Sequence, residues 1–386
     1  MANANQSSNA DVPDRPGSHS ARVLAFSTLG HGSNEEARIR DLLRDVGCEL
    51  FPFDRARKVR MFRWLLLGMW RIRPDLVVME GTGLAGGVAL ILARTVFGQR
   101  YLVSSGDAVG PWVGTRSRLL GPVFGLYERM LCRLAAGFIG WTPYLVGRAL
   151  TFGTPRGVTA AGWAPFPRTP AELTDARQRV RSTLGIPANA LVIGIAGSMV
   201  WTPRYQFCYG VELVRALALV QRPDVYALLV GDGTGRAKLE KLAEGRIGRT
   251  VLFTGRVPQA DVPDYLAAMD LGSLPQSVDR VGSFRFTTKI SEYLAAGLPM
   301  VTGQVPMGYD LDDGWVWRLP GNAPWAEPYI RGLADLLDRL TPAELAEKRA
   351  AIPADHPTFD RERQIQRVTA FVSDLLARSV RGGPHD

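Results

Sequence analysis

Gly282-Ser283-Phe284-Arg285-Phe286-Thr287-Thr288-Lys289-Ile290-Ser291-Glu292-Tyr293-Leu294-Ala295-Ala296-Gly297-Leu298-Pro299 contains one complete helix with its start and its stop. Thr287 is placed to cap it, Gly297 to end it and Pro299 to prevent its continuation. Short apolar runs flank it, Leu271–Pro275 before and Met300–Thr302 after, which makes a βαβ unit of a parallel sheet. Lys289 is the anomaly. A cation in a first turn opposes the helix dipole at about 0.3–1 kcal/mol, a cost removed if an anion is held there by both. Diphosphate is the natural candidate. Pairing with Glu292 three residues on, worth at most about 0.5 kcal/mol, would account for Lys289 without a ligand.

The same alternation extends in both directions. Upstream it gives strands at Leu191–Gly197, Tyr226–Val230 and Val251–Thr254, with helices around Tyr205–Val220, Arg236–Glu244 and Val262–Met269. Pro165 to Pro170 interrupts the pattern and marks a linker. Before it lie strands at Val23–Ser27, Glu49–Phe53, Leu76–Met79, Tyr101–Val103, Phe138–Trp141 and Val158–Ala160. The first is followed by a helix over Asn34–Val46, opened by a Ser33/Glu36 capping box. The reading is α/β: a tail over residues 1–20, a Rossmann-like domain over 21–165, a linker over 166–176 and a second Rossmann-like domain over 177–355. Residues 356–386 form a helix returning to the first domain. A chain of 386 residues exceeds the roughly 250–300 that one core serves, which agrees with two doubly wound domains facing a cleft.

Composition narrows the classes. Hydrophobic residues at 46% and charged residues at 22% exclude a disordered chain. Cys48, Cys132 and Cys208 stand far apart, without zinc or dithiol spacing, as expected of reduced thiols in a cytoplasmic protein with no metal site. The net charge of +9 invites an anionic partner. Much of it lies in Arg55–Arg73, seven basic residues and no acidic one, interleaved with Met61, Phe62, Trp64, Leu65, Leu66, Leu67, Met69 and Trp70. Such a helix can rest on anionic lipid, and a core-facing helix with solvated arginines has the same pattern. No nucleic-acid reading motif accompanies the charge.

Ligands of open α/β sheets bind beyond the carboxyl ends of the strands, where this chain gathers glycine. Gly30-His31-Gly32 precede a helix start. Gly231-Asp232-Gly233 and Gly255-Arg256-Val257 follow later strands, and Gly197 ends another. In this order, with the Thr288–Pro299 helix, the residues resemble GT-B glycosyltransferases of family 4. The likeness is strongest over 177–321 and topological over 21–165. It implies that the second domain holds a UDP- or GDP-sugar, that the first binds the acceptor, and that transfer is retaining and needs no metal.

By that resemblance Glu292 holds the ribose hydroxyls and Gly255, Arg256 and Val257 lie against the base. Phe286 and Thr287 offer backbone N–H groups to diphosphate or sugar, and Lys289 supplies charge. Gly30, Gly32, Gly197, Gly231, Asp232 and Gly233 complete the donor-binding set. Two departures stand out. Phe284 occupies the place of a sugar-binding glutamate, and the usual Arg/Lys pair after Gly197 is missing, with Arg204, at a helix start, as the substitute. Asp107, or else His31, is the candidate base at the acceptor, with Glu80 a third. A plain loop or helix-start role fits Asp107 and His31 equally. Two other readings keep the fold: a nucleotide-sugar 2-epimerase, and a non-catalytic binding or membrane-surface module.

Overall fold

The computed structural model describes residues 21–381, so the expected tail at 1–20 lies outside the described residues. The first domain runs β1 (Val23–Ser27), α1 (Asn34–Leu42), β2 (Glu49–Leu50), α2 (Lys58–Ile72), β3 (Leu76–Glu80), α3 (Leu84–Phe97), β4 (Tyr101–Ser105), α4 (Val109–Gly114), α5 (Leu120–Leu134), β5 (Gly137–Gly140), α6 (Pro143–Thr151) and β6 (Gly157–Thr159). The second runs α7 (Pro170–Thr183), β7 (Leu191–Ala196), α8 (Val211–Leu217), β8 (Val225–Val230), α9 (Arg236–Leu242), β9 (Val251–Gly255), α10 (Val262–Ala267), β10 (Leu271–Leu274), α11 (Thr288–Ala295), β11 (Met300–Thr302), α12 (Met307–Asp310), β12 (Val316–Arg318), α13 (Glu327–Arg339) and α14 (Pro342–Ala350). A last helix, α15 (Arg361–Arg381), closes the described chain.

Each domain is one six-stranded parallel sheet, ordered β2-β1-β3-β4-β5-β6 and β12-β11-β10-β7-β8-β9. Both faces of each sheet are covered, so the strands read as continuous apolar runs. In β1, Leu24 and Phe26 pack toward α2, α3 and α5, while Val23 and Ala25 pack toward α1 and α15. Ile365, Val368, Val372 and Leu375 form the stripe that seats α15 on the first domain, as expected of a returning helix. Gln364 fastens it by donating to Gly162 O and accepting from Gly162 N, each at 2.8 Å.

The differences from expectation have local causes. Residues 166–176 are not linker throughout: Thr169 and Glu172 form a capping box, α7 begins at Pro170, and Arg177 and Arg181 tie it to Asp270 at 2.5 and 2.6 Å. Strand β2 stops at Leu50, before Pro52, which has no N–H for a ladder. Helix α1 ends at Leu42 because Arg44 and Val46 bond three residues back, tightening the chain toward Gly47 at φ 77°. The helix expected from Tyr205 starts only at Val211, since Thr202 and Phe207 pair across a turn in which Gln206 has φ 49°.

Glu212, in the first turn of α8, is wholly buried without a cation. Ser273 Oγ and Gly210 N donate to it at 3.0 and 3.1 Å, and burial pushes its pKa up to about 7. The folded chain therefore keeps a proton that the unfolded chain loses near 4.5, and the associated stability is lost as pH rises between those values. The loss should reach about 3 kcal/mol by neutral pH. Urea denaturation at pH 5 and pH 8 should show Glu212→Gln lacking that loss.

Candidate active-site cleft

Helix α11 points its N-terminus into the space between the domains. Three cavities, of about 880, 660 and 270 Å³, all reach Thr288, its first residue. The N–H groups of Thr287, Thr288 and Lys289 find no acceptor among the described residues. Thr287 is the N-cap residue but, contrary to expectation, makes no capping hydrogen bond; its Oγ1 is buried without a partner. Lys289 Nζ lies 4.5 Å over the Tyr209 ring and is in no ion pair among the described residues, so the pairing with Glu292 does not form. A positive dipole end, an ammonium and an orphaned hydroxyl thus converge, the setting that binds a phosphate anion.

The smallest cavity collects Gly197, Gly231, Asp232, Arg256, Val257, Lys289 and Glu292 beyond the carboxyl ends of β7, β8 and β9. Its walls are backbone against backbone. A Cβ on Gly231 would fall 2.1 Å from Gly197 O, and one on Gly197 would fall 2.9 Å from Lys289 Nζ. Gly197 N donates to Val230 O at 2.8 Å, and Gly231 N to Gly255 O at 2.9 Å. Gly233 packs against the Met199 backbone beside the cavity. Asp232 and Arg256 are exposed, Val257 half-buried. Burial raises the Glu292 pKa, and the nearby charge of Lys289 opposes that rise.

The 660 Å³ cavity faces the first domain. Asp107, Glu80, Phe286 and Thr287 line it together with Trp141, Tyr209 and Arg285. Asp107 is an ion-pair partner across the cleft: Arg285 Nε lies 2.8 Å from Oδ1 and Nη2 lies 3.3 Å from Oδ2. Burial works against the Arg285 charge, yet Asp107 and Tyr209 hold its pKa above the usual range. Glu80 is buried and bound by Arg38 Nη1 at 2.8 Å and Trp141 Nε1 at 3.1 Å, so it braces the floor. The Phe286 side chain is buried against Tyr144 and Phe359, leaving its backbone at the cavity.

Four residues that the sequence designated are elsewhere. Arg204 is in the Thr202–Phe207 turn, not at a helix start, and donates to Gly114 O at 3.0 Å, fastening the second domain to α4. His31 bonds Glu36 through Nδ1 at 3.0 Å and borders none of the three cavities. Gly30 and Gly32 border none either, and their N–H groups are spent on Ser27 O and Glu36 Oε2. Arg285 and Tyr209 escaped the sequence reading. Arg285 stood inside the decisive stretch as a second cation beside a helix start; Tyr209 carried no signal. Arg38, which holds Glu80, also escaped that reading; its only signal was a charge next to Ile39 on the inward side of α1.

Phe284 does not face a sugar site. Its ring packs on the first-domain core with Arg148 5.5 Å above it, and its carbonyl accepts from Thr142 Oγ1 at 2.8 Å. Among the described residues no cluster of three or more His, Cys, Asp or Glu could hold a metal ion.

Residues 190–335 match the family model of group 1 glycosyl transferases, and the whole fold is GT-B. Anabaena HepE, solved with UDP and glucose, superposes with a TM-score of 0.66 at 17% identity, covering 92% of this chain and 100% of that one. Sucrose-phosphate synthase from Thermosynechococcus elongatus gives 0.66 at 15%, covering 93% and 100%. The 2-deoxystreptamine glucosyltransferase of Streptomyces kanamyceticus is 29% identical over 238 residues, 58% of this chain and 59% of that protein. TuaH of Bacillus subtilis, a putative teichuronic acid biosynthesis glycosyltransferase, is 29% identical over 130 residues, 33% and 30% of the two chains. The match thus spans three-fifths or less of these curated relatives.

Phe284→Ala should destabilise the protein by about 2 kcal/mol, through lost burial across the domain boundary. Phe284→Glu should cost more, because it sets a carboxylate against an apolar core. Urea denaturation of both variants checks the order.

Proposed function

We propose that the protein transfers a sugar from a nucleoside diphosphate sugar to an acceptor hydroxyl. The observation that carries this reading is the first turn of α11, where free N–H groups, the buried Thr287 hydroxyl and Lys289 meet without an anion from the protein itself. As the C1–O bond to the diphosphate breaks, negative charge collects on the leaving group, and preorganised dipoles and a cation stabilise it most at that moment. Glu292 accepts the ribose hydroxyls and the Gly255–Val257 turn carries the base. The UDP found in HepE favours a UDP-sugar, and the glucosyltransferase relative favours a hexose.

The acceptor enters from the 660 Å³ side, where Asp107 and Arg285 face each other. The resemblance favours attack from the face that the diphosphate leaves, with the acceptor proton passing to a departing phosphate oxygen and the anomeric configuration retained. NMR of the product's anomeric proton tests retention, and unchanged turnover in EDTA tests metal independence.

A thermal-shift screen against UDP, GDP, ADP and dTDP should give stabilisation by one nucleotide, about 2.7 kcal/mol at 100 times its Kd. Lys289→Ala and Glu292→Ala should each weaken that binding about tenfold or more. No shift with any nucleotide would overturn the proposal.

Glu292 adds a pH signature. Its raised pKa means that the carboxylate needed by ribose forms only as pH rises through that value. Calorimetric affinity for the nucleotide, compared between the wild type and Glu292→Gln across pH 4.5–7.5, should diverge as pH rises, with the wild type gaining.

A further inference from the structure

We infer that the outer face of the α2–α3–α5 layer docks the protein on an anionic lipid bilayer, with the acceptor-side cavity opening at its edge. These helices lie side by side on one face of the first sheet, α2 against α3 and α3 against α5. Their inner stripes are core: on α2 Met61, Leu65 and Met69 are buried, three of the eight apolar residues named for the basic segment. The outer side remains apolar. Most exposed large hydrophobic side chains of the described residues lie on α2, α3, α4 and α5, among them Trp64, Trp70, Leu92, Val96, Val123 and Leu126. Trp70 is 55% exposed and Val123 60%. So many exposed apolar side chains on one layer are uncommon on a soluble monomer and mark an interaction surface.

Charge selects the partner. Helices α2, α3 and α4 carry no Asp or Glu, and the one acid of α5, Glu128, is buried and held by Arg148 at 2.8 Å. Basic residues are interspersed throughout, including Arg60, Arg63 and Arg71 on α2 and Arg129 on α5. Arg60 stacks 4.1 Å over Trp64 and Arg116 stacks 3.9 Å over Trp112, so cations and indoles share the outer level. The first turn of α2 has no acid and bears Lys58 and Arg60, a placement that the helix dipole penalises unless anions lie opposite. A nucleic acid would meet the arginines but leave Leu92, Val96 and Val123 in water. A bilayer with anionic headgroups meets both, taking the indoles and aliphatics at its boundary and the guanidinium groups among the phosphates.

The placement of the cavity fits. Its rim includes Lys58 and Leu84, at the starts of α2 and α3, and Trp112 and Phe124 of α4 and α5, so the surface that would meet lipid borders the opening. The docking does not depend on glycosyl transfer and is tested without it.

Full-length protein is sedimented with vesicles of equal parts phosphatidylglycerol and phosphatidylcholine, and with phosphatidylcholine alone. Binding is expected to the anionic vesicles only. It should fall about tenfold or more in Trp64→Ser/Trp70→Ser and in Arg60→Glu/Arg63→Glu, and should persist in Lys241→Glu/Arg249→Glu, an equal change of charge on the second domain. Retained nucleotide-induced thermal shift in all three variants would show the site intact; an absent shift in every form bears on the donor proposal alone. No binding, equal binding to neutral vesicles, or equal loss in the second-domain variant would overturn the inference. So would a dimer in sedimentation velocity that Trp64→Ser/Trp70→Ser dissolves, with no vesicle binding, which would assign the face to a second copy.

Discussion

The molecule is organised around a first helical turn that is electrostatically incomplete. At α11 the backbone already presents partial positive charge, and the sequence adds Lys289 to it instead of a compensating carboxylate. Everything nearby keeps that turn open. The close-packed glycine loops after β7 and β8 leave a cavity whose far wall is the lysine. Tyr209 supports the ammonium by its ring face, without neutralising it. The two sheets then meet so that their strand ends face this turn from opposite sides.

A second constraint is the segment before α11. Phe284 packs half-buried on the first domain and Arg285 pairs with its Asp107, so the loop that leads into the first turn of α11 is held by the opposite domain. Tyr144 bonded to Asp310, and Arg204 bonded to Gly114, add two further ties. The cleft geometry is thereby coupled to domain closure: moving the domains apart would pull on residues adjacent in sequence to Thr287. It also explains why a phenylalanine stands where the family resemblance expects a glutamate, since the position has been given to the interdomain contact.

How much was legible follows from the range of the interactions. Strands buried on both faces announce themselves as apolar runs, so Val23–Ser27 and Met300–Thr302 match the expected bounds, and the helix with its own stop signals is right to within a residue. Lys289 stood out as a cation in a first turn and Glu292 through the family resemblance, and both line one cavity. Arg204 failed because a cross-turn pairing between Thr202 and Phe207 delays the helix, and single-residue propensity carries no trace of it. The role of Asp107 depended on Arg285, far along the chain, and His31 was claimed by Glu36 in the capping of α1. Only the tertiary arrangement reveals such partners.

The returning helix α15 has a consequence for the order in which the protein is made. One face of the first sheet is completed by Ile365, Val368, Val372 and Leu375, which follow the entire second domain in the chain. While the ribosome is still translating that domain, Leu102 and Ile139 lack their final cover, and the amino-terminal half waits with an apolar surface open to water. The second domain has no such debt, since its own helices enclose both faces of its sheet. The first domain therefore closes only after the second has been made, because its last cover lies beyond that domain in the chain.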